Sequence, residues 1–235
     1  MIVLGIETST PQTSVALGDE RRILGSISFT GPARQDETVP AIQQLLGWTG
    51  LPLESVAGVA MGIGPGLFTG LRIGIQVGKS LAQVLRLPII GIPSLDSLAY
   101  GIRHTRRVIC AVIDARRGEV FSGLYRAVPG GVMRTQDYLV GRPERLAAEL
   151  QALGSEVLIA GDGAILYRRV LEQAGSRVEF ASPARAHPEA SSLVELAVPR
   201  FIREETDRPA EVRPLYLRRS DAEIAWDQRA RGATA

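Results

Sequence analysis

The fold is decided by the stretch VLGIETSTPQTSVAL, residues 3–17, together with CAVIDARRGEVFSGL, residues 110–124. Each reads as a buried strand that ends in an acid, Glu7 or Asp114, followed by a polar turn and a second strand. A third strand and helix–strand units are predicted after each, so the order of elements repeats although the residues do not. Helices are predicted at 37–48, 69–85, 143–153, 163–174 and 189–203.

Two architectures fit this repeat equally. One is the α/β fold of actin-like ATPases, Hsp70 and sugar kinases (ASKHA), with two related β-β-β-α-β-α lobes and a reduced second lobe; the other is two unrelated α+β lobes. In the first, each opening hairpin can present backbone N–H groups to nucleotide phosphates. The expected division is a first lobe at 1–104, a second lobe with a closing segment at 105–219, and a disordered tail at 220–235.

Composition excludes several classes of protein. The 235 residues are 45% hydrophobic and 22% charged, as in a folded globular chain. A net charge of +2 without a long basic block argues against strong direct binding of nucleic acid. Cys110 is the only cysteine, and two histidines are too few for a histidine metal site. Without a membrane-spanning run or a signal peptide, the expected location is cytoplasmic.

Both candidate phosphate-binding hairpins depart from the pattern of an ATPase. Glu7 stands where actin-like ATPases carry an aspartate, and no glycine occurs between residues 6 and 17. Asp114 is followed by Arg116 and Arg117, which are bulky where a phosphate loop needs small residues. Two purely structural hairpins are therefore the favoured interpretation. The degenerate phosphate-loop positions are Glu7, Thr8, Ser9 and Asp114.

Small residues recur every four positions along the helix predicted at 69–85, so they share one face. A glycine inside a helix costs about 1 kcal/mol relative to alanine, so this stripe indicates that another backbone approaches closely. The approach could come from the same lobe, or from a second subunit that docks there. The candidate partner-binding residues are Leu45, Gly70, Leu71, Gly74, Gly78 and Ala82.

Five motifs spread along the chain resemble those of the TsaB family, also called YeaZ. They are GIETSTPQTSVAL at 5–17, GIGPGLFTGLRIGIQVGKSLA at 62–82, PSLDSLA at 93–99, DARRGEVFSGLY at 114–125 and PAEVRPLYLR at 209–218. The most specific of them is the block GPGLFTGLR, residues 64–72. One departure is Gln35-Asp36-Glu37, where the family commonly has a His-Ser-Glu-like segment.

The resemblance implies an ASKHA fold and a non-catalytic subunit in the transfer of threonylcarbamoyl to the adenosine beside the anticodon of tRNAs. TsaB proteins pair with the catalytic subunit TsaD, and the ATPase TsaE joins that pair. The resemblance further implies that the two first-lobe helices dock on TsaD as a bundle, and that ATP and a metal ion belong to the partner subunits. It leaves room for a homodimer when the chain is alone, and for tRNA contacts that are only indirect or weak.

Two enzymatic functions remain as alternatives. The acids Glu7 and Asp114 could serve an ATPase or small-molecule kinase, and a peptidase has been suggested for this wider family. Against an enzyme, the sequence has no His-x-x-x-His motif and no nucleophile with an evident base.

Overall fold

The computed structural model describes residues 1–31 and 37–218. Gln35, Asp36 and the predicted tail at 220–235 therefore lie outside the described residues. The first sheet is built from β1 (Ile2–Glu7), β2 (Gln12–Gly18), β3 (Ile23–Thr30), β4 (Val56–Gly62) and β5 (Ile89–Ile92). Its connecting helices are α1 (Thr38–Thr49), α2 (Phe68–Leu85) and α3 (Ser94–Tyr100).

The second sheet follows without a break in the chain. It contains β6 (Val108–Arg116), β7 (Glu119–Val128), β8 (Gly131–Arg134), β9 (Leu139–Gly141), β10 (Val157–Ala160) and β11 (Val178–Phe180). The remaining helices are α4 (Pro143–Leu153), α5 (Asp162–Leu166), α6 (Arg168–Leu171) and α7 (Ala190–Ile202). In the described part of the chain, no helix is both long and apolar enough to cross a lipid bilayer.

The two sheets share one topology. The first has the strand order β3-β2-β1-β4-β5 and the second has β8-β7-β6-β10-β11, with β9 beside β7. In each, the opening strand pairs antiparallel with the hairpin strand that follows it and parallel with the strand after the first crossover. The same order and directions exclude two unrelated lobes and confirm the predicted duplication.

Helices cover both faces of the first sheet. Apolar residues of α1 and α2, such as Ile42 and Ile75, pack on one face with Leu4 and Val59. The other face is covered by α7, whose Val194 packs among Val3, Ala60 and Ile90. The chain thus returns to the first sheet after completing the second one.

The closing segment also contacts the first sheet. The backbone N–H of Leu215 donates to the carbonyl of Ile63 at 2.7 Å, and Asp207 bridges to Ile89 at the edge of β5. α7 and the segment from Asp207 to Leu215, which the expected boundaries assign to the second lobe, therefore contact the first sheet, whereas Arg218 pairs with Glu119 of β7 at 3.0 Å.

Short helix α3 joins the two lobes through a partly buried hydrogen-bonded cluster. Its Asp96 accepts hydrogen bonds from the hydroxyls of Tyr125, at 2.8 Å, and Tyr138, at 2.6 Å. Tyr138 lies between β8 and β9, both of which pair with β7. This carboxylate, together with the apolar side chains of Leu95 and Leu98, holds the connecting helix against the second sheet.

The small residues of α2 face inward. A Cβ added at Gly74 would lie 2.1 Å from Thr8 Oγ1, and one added at Gly78 would lie 2.7 Å from Met61 Cε. Thr8 Oγ1 donates to the carbonyl of Gly70 at 2.7 Å, so the first turns of α2 rest directly on the end of β1. The stripe thus permits close packing of α2 against its own sheet.

Replacing Gly74 with valine should destabilise the fold. The new side chain collides with Thr8 at a fully packed position, and overpacking of this kind costs about 1–3 kcal/mol. Urea denaturation gives the free energy of unfolding. The matched control is Gly47→Ala on α1, where an added Cβ meets nothing within 4 Å and the stability should rise by about 0.5–1 kcal/mol. Equal stability of the Gly74 variant and the parent would contradict this packing.

Candidate functional site

The residues predicted to bind a partner lie in the interior. Leu45 and Leu71 belong to the buried core, and the small residues of the stripe are buried too, with Gly74 facing Thr8 just after β1 and Gly78 facing Met61 of β4. Close packing within the lobe therefore covers this stripe. The buried set comprises Leu45, Gly70, Leu71, Gly74, Gly78 and Ala82.

The opposite faces of the same helices expose apolar side chains. Trp48 on α1 is 71% exposed, and Val84 on α2 is 78% exposed. Both helices connect parallel strands, so both run antiparallel to β4 and their C-terminal ends lie at the same end of the sheet. Val39 is also exposed, near the start of α1. A contiguous patch of exposed apolar side chains marks an interaction surface, and Trp48, Val84 and Val39 are the candidate members of one on these helices.

The first candidate phosphate loop is built around a buried acid. Glu7, at the end of β1, is fully buried, and its Oε1 accepts a hydrogen bond from the Ser9 backbone N–H at 2.8 Å. Its Oε2 accepts one from Ser94 Oγ at 2.9 Å, at the first residue of α3. Gly62 leaves room for this carboxylate, since a Cβ there would lie 2.2 Å from Oε2. Glu7 therefore serves as an internal link between three segments.

The loop before α2 covers this hairpin with backbone atoms. Leu67 donates its N–H to the carbonyl of Ser9 at 2.7 Å, and a Cβ at Gly66 would lie 2.1 Å from the same oxygen. Thr8, Ser9 and Thr10 are all buried. The hairpin thus lacks the open approach that a nucleotide phosphate needs.

The second candidate acid is engaged within its own hairpin. Asp114 Oδ1 accepts from the Arg116 backbone N–H at 2.9 Å, and its Oδ2 pairs with Arg116 Nη1 at 3.3 Å. The Asp114 N–H in turn donates to Asp162 Oδ1 at 3.0 Å. Arg116 and Arg117 both adopt positive φ angles in this turn. The Arg116 side chain therefore already binds one carboxylate oxygen of Asp114, the acid at the second candidate phosphate site.

Thr8 joins Glu7 to the glycines of α2, but no hydrogen bond or ion pair among the described residues joins the two candidate acids. Groups of three or more His, Cys, Asp or Glu side chains that could hold a metal ion are absent from the described ranges 1–31 and 37–218. The geometry at Glu7 and Asp114 supports structural hairpins.

Burial raises the pKa of the Glu7 carboxyl, against the hydrogen bonds from Ser9 and Ser94, which lower it. A carboxyl whose folded pKa is raised stabilises the fold below its unfolded pKa, and that contribution is lost as the pH rises through the folded value.

Glu7→Gln should flatten the pH dependence of stability, because the variant has no charge to bury. We expect the free energy of unfolding of the variant to fall less than that of the parent as the pH rises above about 4.3, the ordinary pKa of glutamate. Denaturant titrations over a pH series measure this slope. Glu54→Gln, at an exposed position, is the control and should keep the parental slope. A parental slope in the Glu7 variant would refute the assignment.

Sequence reasoning missed three residues that matter here. Ser94 lies on a helix of seven residues, too short for a periodic pattern, although Pro93 and Asp96 mark a helix start. Trp48 and Val84 carry no local signal, because an apolar residue in a helix can face either the core or the solvent.

Comparison with known proteins gives one consistent result. A family model described as "TsaD: tRNA N6-adenosine threonylcarbamoyltransferase" matches residues 32–226. A Bacillus subtilis protein, the "tRNA threonylcarbamoyladenosine biosynthesis protein TsaB", is 30% identical over 234 residues, covering 96% of this chain and 98% of that one.

Solved structures agree with this relationship. The structure of YeaZ from Pseudomonas aeruginosa is 32% identical, with a TM-score of 0.78 over 92% of this chain and 99% of that one. At the level of fold alone, the activator of 2-hydroxyisocaproyl-CoA dehydratase from Clostridium difficile, solved with bound ADPNP, matches at 10% identity and a TM-score of 0.53, covering 88% of this chain and 99% of that one. The chain has the actin-like fold. Because it matches the Bacillus subtilis TsaB protein and the Pseudomonas aeruginosa YeaZ structure over nearly its whole length, it belongs to the TsaB (YeaZ) family.

Proposed function

We propose that the chain acts in the biosynthesis of threonylcarbamoyladenosine in tRNA, as a non-catalytic subunit that binds and activates a TsaD-like transferase. The Bacillus subtilis relative carries this biosynthetic role in its name, and the two chains align over nearly their whole lengths. The match is to a complete protein and not to one shared module.

The observation that carries the proposal is the contrast between the two faces of the first-lobe helices. The inner face packs against the sheet. The loop before α2 covers the hairpin that follows Glu7. The outer face exposes Trp48 and Val84 to solvent. Large aromatic side chains are common anchors of protein interfaces. A chain with a covered phosphate hairpin and an exposed apolar helix pair is better suited to binding a protein than to turning over a nucleotide.

The remaining assignments follow from this role. We place ATP and the metal ion on the partner subunits, with a TsaE-like ATPase joining the complex. The small net charge supports a minor share of the tRNA contacts for this chain. An exposed apolar surface of this kind also allows a homodimer when the partner is absent.

Trp48→Asp combined with Val84→Glu should abolish co-purification with the TsaD-like subunit of the same organism. The change places two charges in a surface that becomes desolvated on binding, and we expect at least a hundredfold loss of affinity, about 2.7 kcal/mol. Reconstituted threonylcarbamoylation of tRNA should fall in parallel. The stability of the isolated chain should stay close to that of the parent, because both side chains are exposed.

Leu166→Glu is the matched control for that experiment. Leu166 is 60% exposed on α5 of the second lobe, so the same type of change is made away from α1 and α2. Binding and modification should be unaffected in this variant. Equal binding by the double variant and the control would refute docking through the outer helix faces.

An ATP-binding enzyme is the second candidate, favoured by the shared fold alone. Calorimetry of the isolated chain with ATP and Mg²⁺ should give no saturable heat, because the backbone of the loop before α2 covers the Ser9 carbonyl. Tight binding with turnover that is lost in Glu7→Ala would overturn the proposed role.

For the peptidase alternative, Cys110 is a poor nucleophile, because burial raises the pKa of its thiol.

A further inference from the structure

An open groove of about 700 Å³ lies between α2 and the closing segment, residues 209–218. Ile73 and Val77 give the groove an apolar wall on α2, and Pro214 and Tyr216 form the wall opposite. The volume is in the range that encloses a drug-sized ligand, so the groove has room for two large side chains. An apolar segment that covered these walls would remove them from water, which is favourable.

The same groove carries two cations. Its lining includes Arg72 and Lys79 but no acidic side chain among the described residues. The Arg72 guanidinium is held in place, because it lies 3.8 Å from the centre of the Phe68 ring and its Nε donates to the Tyr216 hydroxyl at 3.3 Å. The two cations are seven residues apart on α2, about 10 Å along the helix axis. The groove therefore fits an occupant with apolar side chains and two separated carboxylates.

The chain supplies a segment of this chemistry a few residues after the groove wall. Residues 221–227, the acidic segment, read Asp-Ala-Glu-Ile-Ala-Trp-Asp and contain three acids and no basic residue. In an extended chain, residues two positions apart point to the same side, as Ile224 and Trp226 would. Glu223 and Asp227 are four positions apart, about 13 Å in an extended chain. Long cationic side chains about 10 Å apart can reach carboxylates at this spacing.

The groove is within reach of the acidic segment. Tyr216 forms part of the groove wall, and the chain is anchored two residues later, at most about 7 Å away. At that anchor, Arg218 Nη1 pairs with Glu119 Oε2 at 3.0 Å. Trp226 follows Arg218 by eight residues, which span up to about 28 Å when extended. A tether this short gives an effective concentration in the millimolar range, which favours this segment over a free molecule of the same chemistry.

We propose that the acidic segment of this chain folds back over the groove and covers it. The side chains of Ile224 and Trp226 lie against Ile73 and Val77, and the carboxylates pair with the two cations of the lining. The contact buries a small apolar area and forms ion pairs at the surface, each of which contributes little. The cover can therefore open.

The cover regulates access to the surface through which we propose that the chain binds a TsaD-like subunit, so this consequence rests on the proposed function. The groove lies on the same helix as Val84, and a partner that docks there must displace the acidic segment. The apparent affinity for the partner is then reduced in proportion to the fraction of molecules in which the groove is open. Covering the apolar walls also protects the free chain from self-association.

Fluorescence of Trp226 tests the cover without any partner. The full chain contains two tryptophans, Trp48 and Trp226, so Trp48→Phe leaves Trp226 as the only one. We expect emission at short wavelength and slow quenching by acrylamide, because the ring lies in an apolar groove. Lys79→Glu in this background should release the acidic segment by charge repulsion and give the emission and quenching of a solvent-exposed tryptophan. High salt should act in the same direction, because it screens the ion pairs.

Arg126→Glu in the Trp48→Phe background is the matched control, because Arg126 is exposed on β7 of the second lobe. This change should leave the emission of Trp226 as it was. A solvent-exposed Trp226 before any charge reversal would overturn the proposal, and so would a shielded Trp226 that does not respond to Lys79→Glu. Emission that depends on protein concentration would overturn it too, in favour of contact with a second copy of the chain.

The affinity of the full-length chain for the TsaD-like subunit is a second measurement. Ile224→Ser with Trp226→Ser removes the apolar contacts of the cover and should tighten binding about tenfold, as expected when the groove is open in about one parent molecule in ten. Ala230→Ser with Ala233→Ser makes polar changes outside the acidic segment and should bind as the parent does. Weaker binding by the first variant would show that the segment contacts the partner, which contradicts a cover.

The two measurements separate this inference from the proposed function. If neither the parent nor the Ile224→Ser, Trp226→Ser variant binds the TsaD-like subunit, the proposed function fails, while the emission of Trp226 still decides whether the cover exists. If the parent binds and the variant binds equally well, the proposed function stands and the cover fails.

Discussion

The close approach of α2 to the end of β1 is the constraint on which the rest of the first lobe depends. Gly74 allows the helix backbone to reach Thr8, whose hydroxyl donates a hydrogen bond to the Gly70 carbonyl. With α2 held there, the loop that leads into it must run across the hairpin after Glu7. The same placement decides which side of α2 faces the solvent. One packing contact therefore determines both the closed hairpin and the exposed helix surface.

The architecture was accessible from sequence because its signals are local and repeated. Each lobe opens with an apolar run, an acid and a polar turn, and this pattern predicts the hairpins at Glu7 and Asp114 before any contact is known. The long helices α1, α2, α4 and α7 are amphipathic over three or more turns, so their existence was predicted correctly. The helix predicted at 163–174 is also present, but it is divided at Tyr167 into α5 and α6 and ends in a 3-10 turn at Glu172–Ala174.

The functional surface was less accessible, because periodicity says which residues share a face and not which way that face turns. Gly74 and Gly78 share a face of α2, and only the positions of Thr8 and Met61 show that it is the inner one. The hydrogen bonds from Ser94 to Glu7 and from Arg72 to Tyr216 join residues 87 and 144 positions apart. The close approach of segments so distant in the chain depends on the tertiary fold, which a single sequence does not display.

The way in which the hairpin is covered has an evolutionary consequence. The atoms that press on Ser9 belong to the backbone at Gly66 and Leu67, not to side chains. A cleft blocked by a large side chain can be reopened by one substitution, but a main chain can be moved only by rebuilding the loop and the helix that follows it. A single substitution therefore offers no short route to a form of this hairpin that is open to a phosphate.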